Sequence, residues 1–202
     1  MKKMARINKR QDILEKLDEL SITQTKHRKL QAVTIEEFIK WRNETLGITK
    51  SLSSRCNLDT RKAWMWVFSM QVVYGFRISE VFAIQNLDKS FTTEDGAEIL
   101  ALNDPENKTN IAVVGDETLV GTTTKTGYRL AKPIIPPKYH DLIERLDIKT
   151  PKVPEIKLKA KTSKHIVNAY TIKARKQLLN WNAPTTETHA FRHLAHIRQP
   201  HR

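Results

Sequence analysis

Cysteine is nearly absent from this chain. Cys56 is the only one in 202 residues, which excludes an intramolecular disulfide and a cysteine-built metal site and makes a reducing, intracellular setting the default expectation. No run of about 18 apolar residues occurs, so no membrane span is expected. The opening MKKMARINKRQDILEKL is basic but lacks the apolar middle of a secretory signal. Internal repeats and low-complexity tracts are missing as well. Acidic residues are outnumbered at both ends: residues 1–31 hold nine Lys or Arg against four Asp or Glu, and residues 149–202 hold twelve against two. Residues 32–148 are close to balanced, so the formal charge of +13 sits at the two ends. Concentrated positive charge of this kind is the footprint of a phosphate-rich partner, because neutralising phosphates releases condensed counterions. A basic surface that merely solvates the protein is the competing explanation.

What is present is enough for one packed domain with an appendage, at 39% hydrophobic residues. Ile13, Leu14, Leu17 and Leu20 share one face of a short helix over 11–20, and the polar SITQTKHRKLQ that follows reads as a linker, placing a domain boundary near residue 31. Thr34 with Glu37 three residues on is a capping box, opening a helix through roughly Trp41. RKAWMWVFSMQVVY is apolar nearly all round, as a buried central helix is. Gly75 ends it, and ISEVFAIQNL follows as a second short helix. ILAL, NIAVV, TLVGTTT and RLAKPII, separated by turn residues, predict a small antiparallel sheet within 99–134. KYHDLIERL predicts a further short helix, and TPKVPEIKLKAK a Pro-interrupted connector. From Ser163 as N-cap, the positions Ile166, Tyr170, Ala174, Leu178 and Trp181 recur at helical spacing. The fold expected is therefore mainly α with a small antiparallel β-sheet.

Three segments hold chemistry-bearing residues. The tail THAFRHLAHIRQPHR places His189 and His193 at i and i+4, a spacing zinc proteases use, with His196 and His201 nearby. Such a protease needs a glutamate directly after the first histidine, and Ala190 stands there, with Glu187 the only neighbouring carboxylate. His189 with Arg192, at i and i+3, shares a helix face instead. A proton-exchanging imidazole beside a planar fork of donors suits phosphoryl transfer, although the spacing is common by chance. In VVYGFRISEVFAI, Arg77 lies between two helices with its guanidinium at a helix N-terminus, where it can build a phosphate pocket with Glu80 orienting the fork. An ordinary buried Arg–Glu pair is the other possibility. In GTTTKTGYRLAKPI, Lys125 occupies the apparent tip of a hairpin with Gly127 supplying the turn, a place where lysines are usually solvated.

Taken in order, YGFRISEVFAI, TTTKTGYRLAKPI and THAFRH resemble the motifs of the tyrosine recombinase or phage-type integrase family. The resemblance runs from about Ala32 to Ile197. It implies a mainly helical catalytic domain with a small sheet over 32–202, and a remnant of the N-terminal DNA-gripping domain over 1–31. It further implies metal-free, cofactor-free DNA strand cleavage and rejoining. A tyrosine hydroxyl attacks the scissile phosphate to give a 3′-phosphotyrosyl link. Arg77 and Arg192 stabilise the pentacovalent phosphate, each by a factor of ~10²–10³. Glu80 supports Arg77, Lys125 protonates the leaving oxygen and His189 assists proton transfer.

The family's nucleophile lies beyond the second box, whereas the tyrosines here are Tyr74, Tyr128, Tyr139 and Tyr170, all before Arg192. The ending RQPHR reads as a truncated or frameshifted terminus, so the expectation is a phosphate-binding half-site that forms no covalent intermediate by itself. His193, His196 and His201 are then bystanders, with His193 packed under its own helix. The partner implied is double-stranded DNA, bound by a tetramer in the family, and the location is cytoplasmic and nucleoid-associated. The alternative is a non-enzymatic DNA-binding or regulatory protein on the same fold. A basic RNA-binding protein is disfavoured, since the strand segments carry no aromatic stacking motif.

Overall fold

A computed structural model describes residues 33–48, 57–119, 121–155 and 163–195, the last segment with side chains from Ala169 onward. All of them belong to one compact unit, Gln31–Arg202. The expected helix over 11–20, the 1–31 remnant, Cys56, His196 and His201 lie outside the described residues.

Helix α1, Ile35–Gly47, opens on the expected capping box: Thr34 Oγ1 accepts from Glu37 N–H at 3.1 Å, and the Glu37 carboxylate accepts from Thr34 N–H at 2.8 Å. It runs two turns beyond Trp41 because its inward face continues with polar residues that find partners. Arg42, 6% exposed, reaches Asp147 at 2.5 Å, and buried Thr45 gives its carbonyl to Arg61 at 2.7 Å. An apolar period could not reveal a helix face that ends in Arg and Thr.

Helix α2, Leu58–Tyr74, is the centre of this unit's core. Asn57 caps its start, accepting from Thr60 N–H at 2.8 Å. Every residue from Ala63 to Tyr74 is buried, as the all-round apolar pattern predicts. Gly75 stops it in the left-handed conformation (φ 67°, ψ 25°) and donates its N–H to the Gln71 carbonyl. A single helical turn, α3 (Ile78–Val81), then follows.

The helix predicted over ISEVFAIQNL ends at Val81, which is a correction. Phe82 to Asn86 instead lie along the sheet: Gln85 N–H donates to Val113 O and Gly115 N–H to Ala83 O, both at 2.8 Å, and Ile84 bridges Val114. Helix propensity loses here to tertiary hydrogen bonding. Asn86 explains the outcome, because its buried amide donates to the Leu100 and Ile111 carbonyls and accepts from Val113 N–H. A helical path would leave those three backbone groups unpaired.

The single small sheet expected is two. Strands β1 (Phe91–Thr92) and β2 (Glu98–Ile99) form one antiparallel pair, and β3 (Ala112–Val114) and β4 (Arg129–Ala131) form another with Val113 opposite Leu130. The described residues of TLVGTTT form a turn rather than a strand, with one bridge from Thr123 to Glu117. Thr118 and Thr122 close it through backbone and hydroxyl bonds, and Gly121 takes φ 73°.

KYHDLIERL splits into a 3-10 turn, Pro137–Tyr139, and α4, Leu142–Arg145. Helix α5, Ser163–Asn180, starts with Ser163 already helical, and buries Tyr170, Ala174 and Leu178 at the predicted spacing, with Trp181 just past its end. Helix α6, Thr188–Leu194, closes the described chain. No helix among the described residues is long and apolar enough to cross a membrane.

Candidate phosphate-binding site

The break between α2 and α3 gathers the site. After Gly75 the chain is extended for two residues, and Arg77 becomes the N-cap residue of α3. Glu80, three residues on, folds back so that its carboxylate accepts from Arg77 N–H at 2.7 Å and from Arg77 Nη1 at 2.9 Å. Glu80 is fully buried, whereas the Arg77 side chain is 26% exposed. The carboxylate therefore fixes the root of the arginine and leaves part of the guanidinium open to solvent.

Two further donors share that carboxylate, and both come from the β3–β4 hairpin. Thr126 Oγ1 donates to Glu80 Oε1 at 2.8 Å, and Arg129 Nη2 to Oε2 at 3.2 Å. The Arg129 guanidinium also lies 5.2 Å from the centre of the Phe76 ring, within cation–π range. Burial by itself pushes the Glu80 carboxyl up. The Arg77 N–H, the Thr126 hydroxyl, the Arg77 side chain and the Arg129 charge together outweigh it, and the carboxyl is held below its ordinary 4.5.

Helix α6 supplies the remaining groups, and its orientation follows from its own sequence. Thr188, Ala190, Phe191 and Leu194 are buried, which turns His189 and His193 to solvent and leaves Arg192 half-buried. Phe191 is the anchor, with ring centroids 5.0 Å from Phe38, 5.6 Å from Phe68 and 5.7 Å from Trp41. Arg192 Nε donates to the Gly75 carbonyl at 2.8 Å. That carbonyl stands at the electronegative end of α2, where a cation is favoured. His193, expected to pack under its own helix, is exposed instead. It follows Arg192 on the outward face, and Phe191 already fills the inward one.

His189 titrates below the usual 6.5. Partial desolvation contributes most, followed by the positive charges of Arg192, His193 and Arg77, with Glu187 opposing them. Arg77 and Arg192 both add positive potential at His189, and both are tied to the α2–α3 break, Arg77 through Glu80 and Arg192 through the Gly75 carbonyl. The imidazole is consequently neutral near pH 7 and able to accept a proton.

Lys125 is exposed, but it does not occupy the hairpin tip. The tip is turned by Thr118–Thr122, and Lys125 lies on the returning arm in a second turn built around Asp116. Asp116 accepts from Thr124 N–H through its carbonyl and from Tyr128 N–H through its carboxylate, both at 2.6 Å, while Gly127 takes φ 69°. Thr126, the next residue, reaches Glu80, so the Lys125 turn borders the arginine cluster. Thr126, Arg129 and the Gly75 carbonyl were not among the sequence candidates.

The tyrosines are in four different settings. Tyr74 is buried, which pushes its hydroxyl well up, and it donates to the Asn110 carbonyl at 2.7 Å. Tyr170 is buried with its ring stacked 4.2 Å from that of Phe82. Tyr139 donates to the Glu36 carboxylate. Tyr128 is 45% exposed beside Phe91. Among the described residues, no three His, Cys, Asp or Glu side chains lie together in a way that could hold a metal ion. Comparison with protein-family models, curated proteins and solved structures finds no significant match to this chain.

Proposed function

We propose that this chain is the DNA-binding and phosphate-holding part of a tyrosine recombinase or integrase-like protein. The observation that carries the reading is a convergence. Arg77, the Lys125 turn and the His189–Arg192 pair come from segments 46 and 117 residues apart along their linking hydrogen bonds, and they meet at one helix break. An ordinary Arg77–Glu80 pair would not require a second arginine from α6 on the preceding carbonyl or a lysine-bearing turn on the same carboxylate.

In this reading Arg77 and Arg192 bind the non-bridging oxygens of a backbone phosphate and hold the charge that grows in the pentacovalent state. Neutral His189 is the group that would take the proton of an attacking hydroxyl, which none of the four tyrosines is assigned to supply. Lys125 delivers one to the 5′ oxygen as the P–O bond to it breaks. The excess basic charge at residues 149–202 supplies sequence-independent attraction to the duplex. Tyr74, Tyr128, Tyr139 and Tyr170 all precede Arg192, and the reading assigns none of these four as the nucleophile.

The test is duplex binding by fluorescence anisotropy across salt, with Arg77→Ala and Arg192→Ala beside wild type. The expected result is affinity that falls steeply with salt, a less than ~10-fold loss in either variant, and loss of one local phosphate contact in ethylation interference. A nicked duplex should yield no protein band linked to DNA after denaturation. Preference for RNA over duplex DNA, or binding indifferent to salt, would overturn the reading.

A further inference from the structure

The hairpin that carries Lys125 is bonded to residues 82–86 at its base and near its tip, through Gln85 N–H to Val113 O and Gly115 N–H to Ala83 O at 2.8 Å and Leu119 N–H to Phe82 O at 2.9 Å, whereas its 124–128 turn is bonded mainly to the hairpin itself. Thr124 N–H and Tyr128 N–H bond to Asp116 at 2.6 Å, and Thr124 Oγ1 to the Gly115 carbonyl at 3.1 Å. These bonds shape the turn without fixing it against the helix that bears Arg77. The bond that leaves the hairpin from inside the turn is Thr126 Oγ1 to Glu80 at 2.8 Å. Three residues on, Arg129 reaches the other oxygen of the same carboxylate, and its guanidinium rests over Phe76, whose ring stacks on Tyr74 at 5.0 Å with 4° between planes. Arg77 occupies both oxygens from the other side. One buried carboxylate thus joins an arginine at a helix start to the 124–128 surface turn.

We propose that Thr126 and Arg129 are positioning residues, acting through Glu80 to register the Lys125 turn against Arg77. Neither needs to touch the substrate. Thr126 is exposed and can be replaced without opening the core. Arg129 cannot be replaced by lysine without loss, because a point cation lacks the planar fork and the ring contact. The importance of Lys125 in this proposal rests on the function proposed above, whereas the mechanical link does not.

Amide hydrogen exchange of the full chain, read for the 124–128 peptide, tests the link. Thr126→Val keeps the shape and removes the hydroxyl. It should speed exchange of the turn about 10-fold, as expected for loss of one hydrogen bond to a charged group, with the melting temperature and the exchange of α2 unchanged. Thr126→Ser should restore the wild-type rate, and Arg129→Lys should loosen the turn as Thr126→Val does. Exchange within twofold of wild type in Thr126→Val, or failure of Thr126→Ser to rescue, overturns the proposal. Acetylation of Lys125 with and without a 25-base-pair duplex separates it from the DNA reading. If the duplex leaves Lys125 unprotected while Thr126→Val loosens the turn, the link stands and the DNA reading falls. If the duplex protects Lys125 and Thr126→Val changes nothing, the link falls and the DNA reading stands.

Discussion

Replacing Glu80 with glutamine tests the centre of the arrangement with almost no change of volume. The native carboxylate is fully buried and accepts four hydrogen bonds at 2.7, 2.8, 2.9 and 3.2 Å from Arg77, Thr126 and Arg129. Glutamine removes the charge and turns one oxygen into an NH₂ group that faces a donor. Breaking a buried ion pair costs about 3–5 kcal/mol, but the two arginines keep 26% and 35% exposure and recover hydration, which reduces the expected loss to about 2–3 kcal/mol. That is a large share of a typical stability of ~5–15 kcal/mol. Urea unfolding can be followed through the intrinsic fluorescence of Trp41, Trp64, Trp66 and Trp181, all buried. The pH dependence supplies a second check. Because the folded carboxyl titrates below its ordinary 4.5, its stabilisation is fully present above that pH and is lost as pH falls through the folded value. The gap between wild type and Glu80→Gln should therefore stay constant from pH 7 to about 5 and narrow at lower pH. A gap under ~0.5 kcal/mol at pH 7, or one that does not narrow on acidification, would refute the assignment of Glu80 as the anchor.

Three other perturbations reach the same site from different sides. Phe191→Ala removes a fully buried ring that touches Phe38, Trp41 and Phe68, and should cost about 3–5 kcal/mol in urea unfolding, while Phe191→Leu should cost much less. Gly75→Ala forces a Cβ into a left-handed conformation at φ 67° and should lower stability by about 1–2 kcal/mol, measured by thermal melting, with the Arg192 contact disturbed as well. The His189 imidazole, followed by NMR, should titrate below 6.5, since the fold favours its neutral form. Protonation as pH falls below 6.5 then costs folding stability, and His189→Gln should remove that part of the slope. A midpoint at or above 6.5 would contradict the cluster of like charges around it.

The parts of this protein that were legible from sequence are those governed by local chemistry. The Thr34–Glu37 capping box, the all-round apolar α2 and its glycine stop each depend on residues within a few positions of one another, and each is found where expected. The parts that were not legible depend on partners far along the chain. FAIQN leaves its helix because a single asparagine, Asn86, bonds backbone groups 14, 25 and 27 residues away. The Lys125 turn was placed at the tip because Gly127 is a turn residue, yet Gly121 serves the tip and Asp116 builds the second turn. Arg129 was not legible either: in RLA a period of two turns the apolar Leu130 inward and Arg129 outward, whereas the structure exposes Leu130 and turns Arg129 toward the buried Glu80.

The charge balance at the helix break explains why so many cations are tolerated there and what they are suited to. Arg192 is offset by the carbonyl end of α2, and Arg77 and Arg129 share Glu80. Glu187 is a further negative charge acting on His189, whose neutral form its surroundings favour, and Arg192 rests on a carbonyl rather than a carboxylate. On the function proposed above, the positive charge left over would favour a phosphate species whose negative charge grows in the transition state, since only interactions stronger there than in the ground state accelerate a reaction.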